Sequence, residues 1–478
     1  MPDGIYDCIV IGGGAVGALT LRAVTAKGAK GLLLEAGADL ASGASRANSA
    51  IIHAGYDPEP GTKKALFNVR GAALYPALVA ALDIPYRPID SLVAAYSDEE
   101  LGTLDALLRR GRENGVQNLR LLTRAELLEK EPNLSKRVRG ALCAASAIVE
   151  PWTVAIAAAE NACDNGAAVL CGHRVAAVRR VGDGFAVTAV CRGGEERSFL
   201  GRAVVNAAGV HADDIHAMLA PKTYTMEGKR GQYCVLDKRA AGLVNSVLFA
   251  CPTEKGKGVL ITPEIHGRVM IGPDSVRCDD RDDVGTTADA LAYVKSAAAQ
   301  YLSAPLPANL QIRTFAGVRP VGSGGDFIVG ACGGVPGFFE AAGIESPGLA
   351  SAPAIAETLG DEVAAYLELR AGAGRFIPTR RPRLRLGEGG ASGGAATTLV
   401  CRCGTVTEAQ VVDAIRRNCG ARTVKGVKLR TGAMLGGCQG GFCSPKIVKI
   451  LARELNIGMD KVEYDGEGSQ ILTERTRG

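Results

Sequence analysis

The chain has 478 residues, more than one ordinary hydrophobic core fills, so two or three domains are expected. Its 55 basic and 50 acidic residues leave a formal net charge of +5, too mild over this length to imply a nucleic-acid partner. A hydrophobic content of 47% with 22% charged residues excludes disordered and fibrous classes.

The opening Met1-Pro2-Asp3-Gly4 lacks the basic region of a signal peptide, and no apolar run approaches the roughly 18 to 20 residues of a membrane span. A cytoplasmic location is expected. Nine of the fourteen cysteines, from Cys8 to Cys332, lack a repeating spacing and read as small buried hydrophobes of a reducing compartment.

Asp7 to Ile11 is an apolar strand that runs into Gly12, Gly14 and Gly17, followed by an alanine-rich helix to about Ala26 and a second strand ending on Glu35. This order marks a dinucleotide-binding βαβ unit. Gly12 permits the tight turn, Gly14 lets the backbone approach a pyrophosphate, and Gly17 lets helix pack on strand. Ala15 and Val16 then present amides at the helix start. Glu35, followed by Ala36, is placed to accept both ribose hydroxyls of an adenosine, which disfavours a 2′-phosphate and hence NADP. The motif alone does not separate FAD from NAD.

Ser42 to Tyr56 has neither helical nor strand periodicity and carries Ser45, Asn48, Ser49 and His53, a backbone-rich loop suited to phosphate oxygens and a flat ring. Asn48 to Gly55 followed by Pro58-Glu59-Pro60-Gly61-Thr62 resembles the flavin-side loop of the D-amino-acid-oxidase-like superfamily of FAD-dependent oxidoreductases. The similarity is greatest to the glycerol-3-phosphate dehydrogenase and L-2-hydroxyglutarate dehydrogenase branches. It implies FAD, and a position for His53 beside the isoalloxazine.

Downstream, periodicity predicts a helix over about 65–82, a strand over 91–96, a charged helix over 98–114, a helix over 152–166 and a strand near Val169. By resemblance, Val175 brackets the adenine. Ala203 to Gly209 is a buried strand whose ending on Ala208 and Gly209 allows close approach to a cofactor. From Lys222 to Ile312 short alternating strands, among them 233–236, 258–262 and 268–271, predict an antiparallel cap. Arg230 resembles an arginine that the superfamily turns toward substrate. Gly317-Val318-Arg319-Pro320 resembles the segment whose arginine crosses the flavin's substrate face. A guanidinium suits that position because its planar fork grips carboxylate or phosphate and stays charged. Gly343-Ile344-Glu345-Ser346-Pro347-Gly348 opens a helix to about Leu359 with free amide donors; by resemblance that end faces the flavin pyrimidine.

The expected organisation is α/β. A Rossmann-like FAD-binding domain takes residues 1–85, 143–220 and 314–370, and an antiparallel-sheet substrate (cap) domain takes 86–142 and 221–313. A glycine-rich linker at 371–397 leads to a small, mainly helical domain at 398–478. There Cys401-Arg402-Cys403 and Cys438 to Cys443 can bring four thiolates to one site, which suits a [2Fe-2S] cluster or structural zinc. The spacing resembles the bacterioferritin-associated-ferredoxin type of [2Fe-2S] domain. Cys419 is left over and is expected to pack on a helix.

Together these imply an FAD-dependent dehydrogenase of a small anionic secondary alcohol, foremost sn-glycerol 3-phosphate. Arg319 and Arg230 would hold the anion, His53 would act as base, and electrons would leave through the cluster to a second, NADH- or quinone-linked flavoprotein subunit. L-2-hydroxyglutarate or another 2-hydroxy acid, an opine- or sarcosine-like amino acid, and a non-catalytic electron-transfer role are the alternatives.

Overall fold

The computed structural model describes residues 4–252, 258–369, 376–386 and 398–474. Two large sheets with their covering helices, and a small, mainly helical unit that holds a two-stranded sheet, make up these residues. In the first sheet, Phe338–Ala342, Glu196–Asn206, Tyr6–Ile11, Gly31–Glu35 and Ala168–Cys171 run parallel in that order, with Ile328–Ala331 antiparallel at one edge. Parallel strands covered on both faces need apolar residues at consecutive positions. Accordingly, Cys8, Val10 and Leu33 face the helices Ala15–Ala26, Pro151–Asp164 and Gly348–Tyr366, while Ile9, Ile11, Leu32 and Leu34 face the hairpin His173–Val181 and Gly184–Cys191.

The second sheet has ten strands. It is antiparallel as expected except where Val247–Ala250 runs parallel to Tyr86–Ala95. Strands Gly140–Val149 and Gln311–Gly322 belong to it along their lengths, so the boundaries expected at 143 and 314 fall within paired structure. Several strands begin earlier than their apolar signal. Tyr86–Ala95 and Met226–Leu236 open with Arg87, Asp90, Glu227 and Lys229, which lie off the core side and hide the periodicity.

Helix Lys63–Leu82 corrects the expectation on apolar runs: with a mean hydropathy of 1.4 it is long and apolar enough to cross a membrane by length and composition. Here one face of it packs into the core through Phe67, Tyr75, Val79 and Leu82, with 39% of its apolar window buried. A Cβ on Gly71 would stand 2.1 Å from the Ala350 carbonyl oxygen, and the Tyr75 hydroxyl donates to the Leu349 carbonyl at 2.6 Å.

The C-terminal unit packs Glu408–Arg416, Val424–Thr431 and Ser444–Leu455 around its own core of Val411, Ile415, Val427, Ile447 and Leu451. The glycine run 387–394 lies outside the described residues. The basic stretch before it is docked rather than free: buried Arg380 donates to Glu160 at 2.6 Å, and Glu160 also meets Arg417 of the C-terminal unit at 3.4 Å. Buried Arg430 closes a second clamp on Asp39, at 2.5 and 2.8 Å. Cys419 packs against helix Pro151–Asp164, its sulfur 3.3 Å from that of Cys163.

Removing one partner of a buried ion pair strands the other charge, at a cost of about 3–5 kcal/mol. Asp39→Asn is therefore expected to lower the melting temperature and to loosen the C-terminal unit first, measured by calorimetry together with hydrogen exchange of helix Val424–Thr431.

Candidate active site and cluster site

One cavity of about 2110 Å³ runs between the two sheets and under the C-terminal unit. It exceeds the roughly 300–1,000 Å³ of a drug-sized ligand site severalfold. Every cofactor or catalytic residue expected from the sequence lines it except Gly343. That glycine instead forms the turn behind the wall, at φ +67°, with room for a Cβ only 3.2 Å from the Asp326 carbonyl oxygen.

At the nucleotide end, Gly12 sits at φ +104°, and a Cβ on Gly17 would stand 2.0 Å from the Gly12 carbonyl oxygen. The helix Ala15–Ala26 has no side-chain cap and no acid in its first turn, so most of its first amides are left for a ligand. Only the Ala15 amide has a side-chain acceptor, Ser45 Oγ at 2.8 Å. Glu35 is held by three donors: the Gly13 amide at 2.6 Å, the Gly37 amide at 2.7 Å and the Ser42 hydroxyl at 2.6 Å. Oε1 already accepts from Gly37 and Ser42, so Oε2, which accepts from Gly13 alone, is the oxygen with a lone pair left for a ribose hydroxyl.

Ala208, Gly209 and Val175 close this end. A Cβ on Gly209 would meet open space, so its φ of +60°, rather than crowding, calls for glycine. Two lining residues that the sequence reading missed carry buried ring nitrogens without a partner, Trp152 Nε1 and His173 Nε2. His173 Nδ1 lies 2.9 Å from the Cys171 carbonyl and must donate to it, which leaves Nε2 as an acceptor. Uncapped amides, an oriented carboxylate and these two unsatisfied groups fit an adenine dinucleotide.

On the flavin side, Asn48 shapes its own loop: it donates to the Ala44 carbonyl at 2.9 Å and accepts from the Ala50 amide at 2.8 Å. Ser49 meets the hydroxyl of Tyr233 at 3.2 Å, and Tyr233 stacks on Phe315 at 4.6 Å. Gly317 is required because a Cβ would stand 2.0 Å from the Ala47 carbonyl oxygen. The uncapped start of Gly348–Tyr366 lines the cavity through Ile344, Glu345, Ser346, Pro347 and Gly348, with Glu345 paired to Lys64 at 2.7 Å.

The two expected anion-binding arginines differ. Arg319 donates to the Asp274 carbonyl at 2.8 Å and to the Ser275 hydroxyl at 3.2 Å, and lies over Gly231, where a Cβ would be 2.3 Å from its guanidinium. Among the described residues no carboxylate pairs with it. Arg230 is already engaged by the carboxylate of Asp283. Its charge is partly offset by that carboxylate. His53 lines the cavity with its ring 5.9 Å from that of Phe249, and its carbonyl accepts from Asn68 at 2.6 Å.

In the C-terminal unit the cysteines form two close pairs. Cys401 and Cys443 are buried, and burial followed by the neighbouring Cys401 pushes the Cys443 thiol up to about 12. Cys403 and Cys438 are exposed, 3.8 Å apart. Backbone amides of Phe442 and Gly440 hold the Cys438 thiol below its ordinary range. Among the described residues no three cysteine sulfurs lie within 4.8 Å of one another. A tetrahedral zinc, with Zn–S bonds of about 2.3 Å, would draw all four to about 3.8 Å. Two pairs of thiolates with amides aimed at sulfur fit a two-iron cluster better.

The sequence profile of the FAD dependent oxidoreductase family matches residues 7–362, and that of the BFD-like [2Fe-2S] binding domain matches residues 399–453. The chain is 38% identical to a glycerol 3-phosphate dehydrogenase of Caloramator mitchellensis over 99% of both proteins. It is 27% identical to the mitochondrial L-2-hydroxyglutarate dehydrogenase of Arabidopsis thaliana, over 74% of this chain and 83% of that one. Among solved structures it is similar to the FAD-bound L-alpha-glycerophosphate oxidase of Mycoplasma pneumoniae, with a TM-score of 0.73 at 26% identity, over 79% of this chain and 98% of that one.

Gly14→Val would push a branched side chain into Ser45, whose Oγ is 2.9 Å from the Cβ position. The purified variant is expected to carry little flavin, read from its absorbance. Cys438→Ala should do the reverse, retaining flavin and losing the electron paramagnetic resonance signal of the reduced cluster.

Proposed function

The chain belongs to the FAD-dependent oxidoreductase family and carries a BFD-like [2Fe-2S] domain, and on that premise we propose that it oxidises sn-glycerol 3-phosphate to dihydroxyacetone phosphate. The observation that carries this reading is Arg319, a guanidinium held inside the cavity by neutral acceptors alone, its charge left for an anionic substrate. Full-length similarity to a glycerol 3-phosphate dehydrogenase supports phosphate as that anion.

FAD, when bound, supplies a hydride acceptor, and the cluster passes electrons on singly. The chain supplies the rest. Arg319 grips the phosphate, with Ser275 and the Asp274 carbonyl fixing the plane of its fork. Tyr233, stacked on Phe315 and tied to Ser49, walls the cavity beside it. Burial, first of all, raises the Tyr233 hydroxyl above its ordinary range, so it stays protonated and can donate. We assign His53 as the base that takes the hydroxyl proton, and Arg230 to positioning Asp283 and the cavity rim.

We further propose a second flavoprotein subunit, NADH- or quinone-linked, as electron acceptor. Exposed Cys403 and Cys438 bring the cluster's edge to the surface, beside Phe442 with Arg402 at 4.3 Å and Lys446 at 4.4 Å over its ring. A basic, aromatic face of this kind suits an acidic partner. None of the fourteen cysteines is in a disulfide, which supports a reducing, cytoplasmic setting.

Anaerobic addition of glycerol 3-phosphate is expected to bleach the flavin band, and Arg319→Gln to raise KM about tenfold or more. His53→Asn should lower kcat by about 10²- to 10⁴-fold. Bleaching by L-2-hydroxyglutarate in place of glycerol 3-phosphate would reassign the substrate, and reduction by NADH alone would make the chain an electron relay.

A further inference from the structure

Lys428 stands on helix Val424–Thr431 and is only 5% exposed. Among the described residues no carboxylate, carbonyl or hydroxyl accepts from its ammonium, which opens onto the cavity. It lines the end of the cavity that lies under the C-terminal unit, and what surrounds it is more positive charge: Arg313, Lys425, Arg268 and Arg46. Burial and then these four cations push its pKa down to about 7. An unpaired buried ammonium is costly, and one facing further cations more so.

The counter-charges are few. Glu264 is taken by Arg268 at 2.6 Å, and Asp465 by Lys425 at 2.5 Å with Arg46 at 3.6 Å. Among the described residues Arg313 has only the neutral Gln439 amide oxygen, at 3.2 Å. Among the described residues five basic side chains thus face two carboxylates. They also come from different parts of the chain: Lys425 and Lys428 from the C-terminal unit, Arg46 from the flavin-side loop, Arg268 from the turn before strand Val269–Gly272 and Arg313 from strand Gln311–Gly322. Like charges meet across this boundary where the clamps Asp39–Arg430 and Glu160–Arg417 press the units together. The dinucleotide phosphates have their own donors at the start of helix Ala15–Ala26, and the substrate anion has Arg319.

We propose that this end of the cavity is a second anion site, which binds a phosphate-type dianion, free or as a small monoester, between Lys428, Arg313 and Lys425. The bound dianion joins the [2Fe-2S] unit to the flavin unit by neutralising the cations both contribute. Phosphate suits the site because its several oxygens take donors from more than one side at once.

The test is calorimetric titration of the full chain, loaded with FAD and cluster, with inorganic phosphate and separately with adenosine 5′-monophosphate, at ionic strength matched with chloride. Wild type is expected to bind saturably. Lys428→Met, which keeps the shape of the stem, should weaken binding about tenfold or more, the loss of one charge-assisted hydrogen bond. Its flavin content and KM for glycerol 3-phosphate should stay unchanged. Arg313→Gln should weaken binding similarly and serves if the Lys428 variant does not fold. Arg319→Lys should keep it. Tighter binding of the nucleotide identifies a monoester as ligand, and equal or weaker binding identifies free phosphate. Three results would overturn the proposal: no saturable binding beyond the chloride control, binding lost in Arg319→Lys but kept in Lys428→Met, or a Lys428→Met protein that purifies without flavin, which would place Lys428 in the dinucleotide site.

Discussion

The fold depends on one close approach, that of helix Ala15–Ala26 to the strand before it. With Gly17 only 2.0 Å from the Gly12 carbonyl oxygen at its Cβ position, no other residue lets the helix start where it does. That start aims uncapped amides into the cavity and sets the angle at which the helix crosses Gly348–Tyr366. The parallel strands can then bury both faces, and Glu35 ends its strand beside the Gly13 amide. Nucleotide binding and core packing therefore share one constraint.

A second layer of order comes from charge. Glu160 and Asp39, both buried, hold Arg380, Arg417 and Arg430, and so seat the C-terminal unit on the nucleotide domain. Such pairs contribute little net stability compared with apolar contacts, but breaking either one is expensive, which makes them good at fixing a single docking geometry. The same docking brings Lys425 and Lys428 against Arg268 and Arg313.

Within the active cavity, chemistry follows from which charges are left over. Two arginines of similar sequence promise enter it. Arg230 is neutralised by Asp283, whereas Arg319 rests over Gly231 on neutral oxygens and keeps its charge. The glycine beside Arg230 thus makes room for Arg319, whose guanidinium reaches it diagonally from two positions along the paired strand Gln311–Gly322.

By itself, the sequence determined what local rules govern: the βαβ turn with its three glycines and terminal acid, the paired cysteines of the tail, and the helices whose periodicity exceeds three turns. Chain-local spacing suffices there because the residues that act together lie within a few tens of positions. The tertiary structure decided what depends on long-range pairing. It lengthened strands whose first residues are charged, made the long apolar helix Lys63–Leu82 a core element, and docked the basic stretch before the tail. It also paired Arg230 with Asp283 while leaving Arg319 on neutral oxygens, and it brought Lys428 to a cavity built mostly from residues hundreds of positions earlier. No spacing rule could find these, because a partner's charge acts through space and its position along the chain is arbitrary.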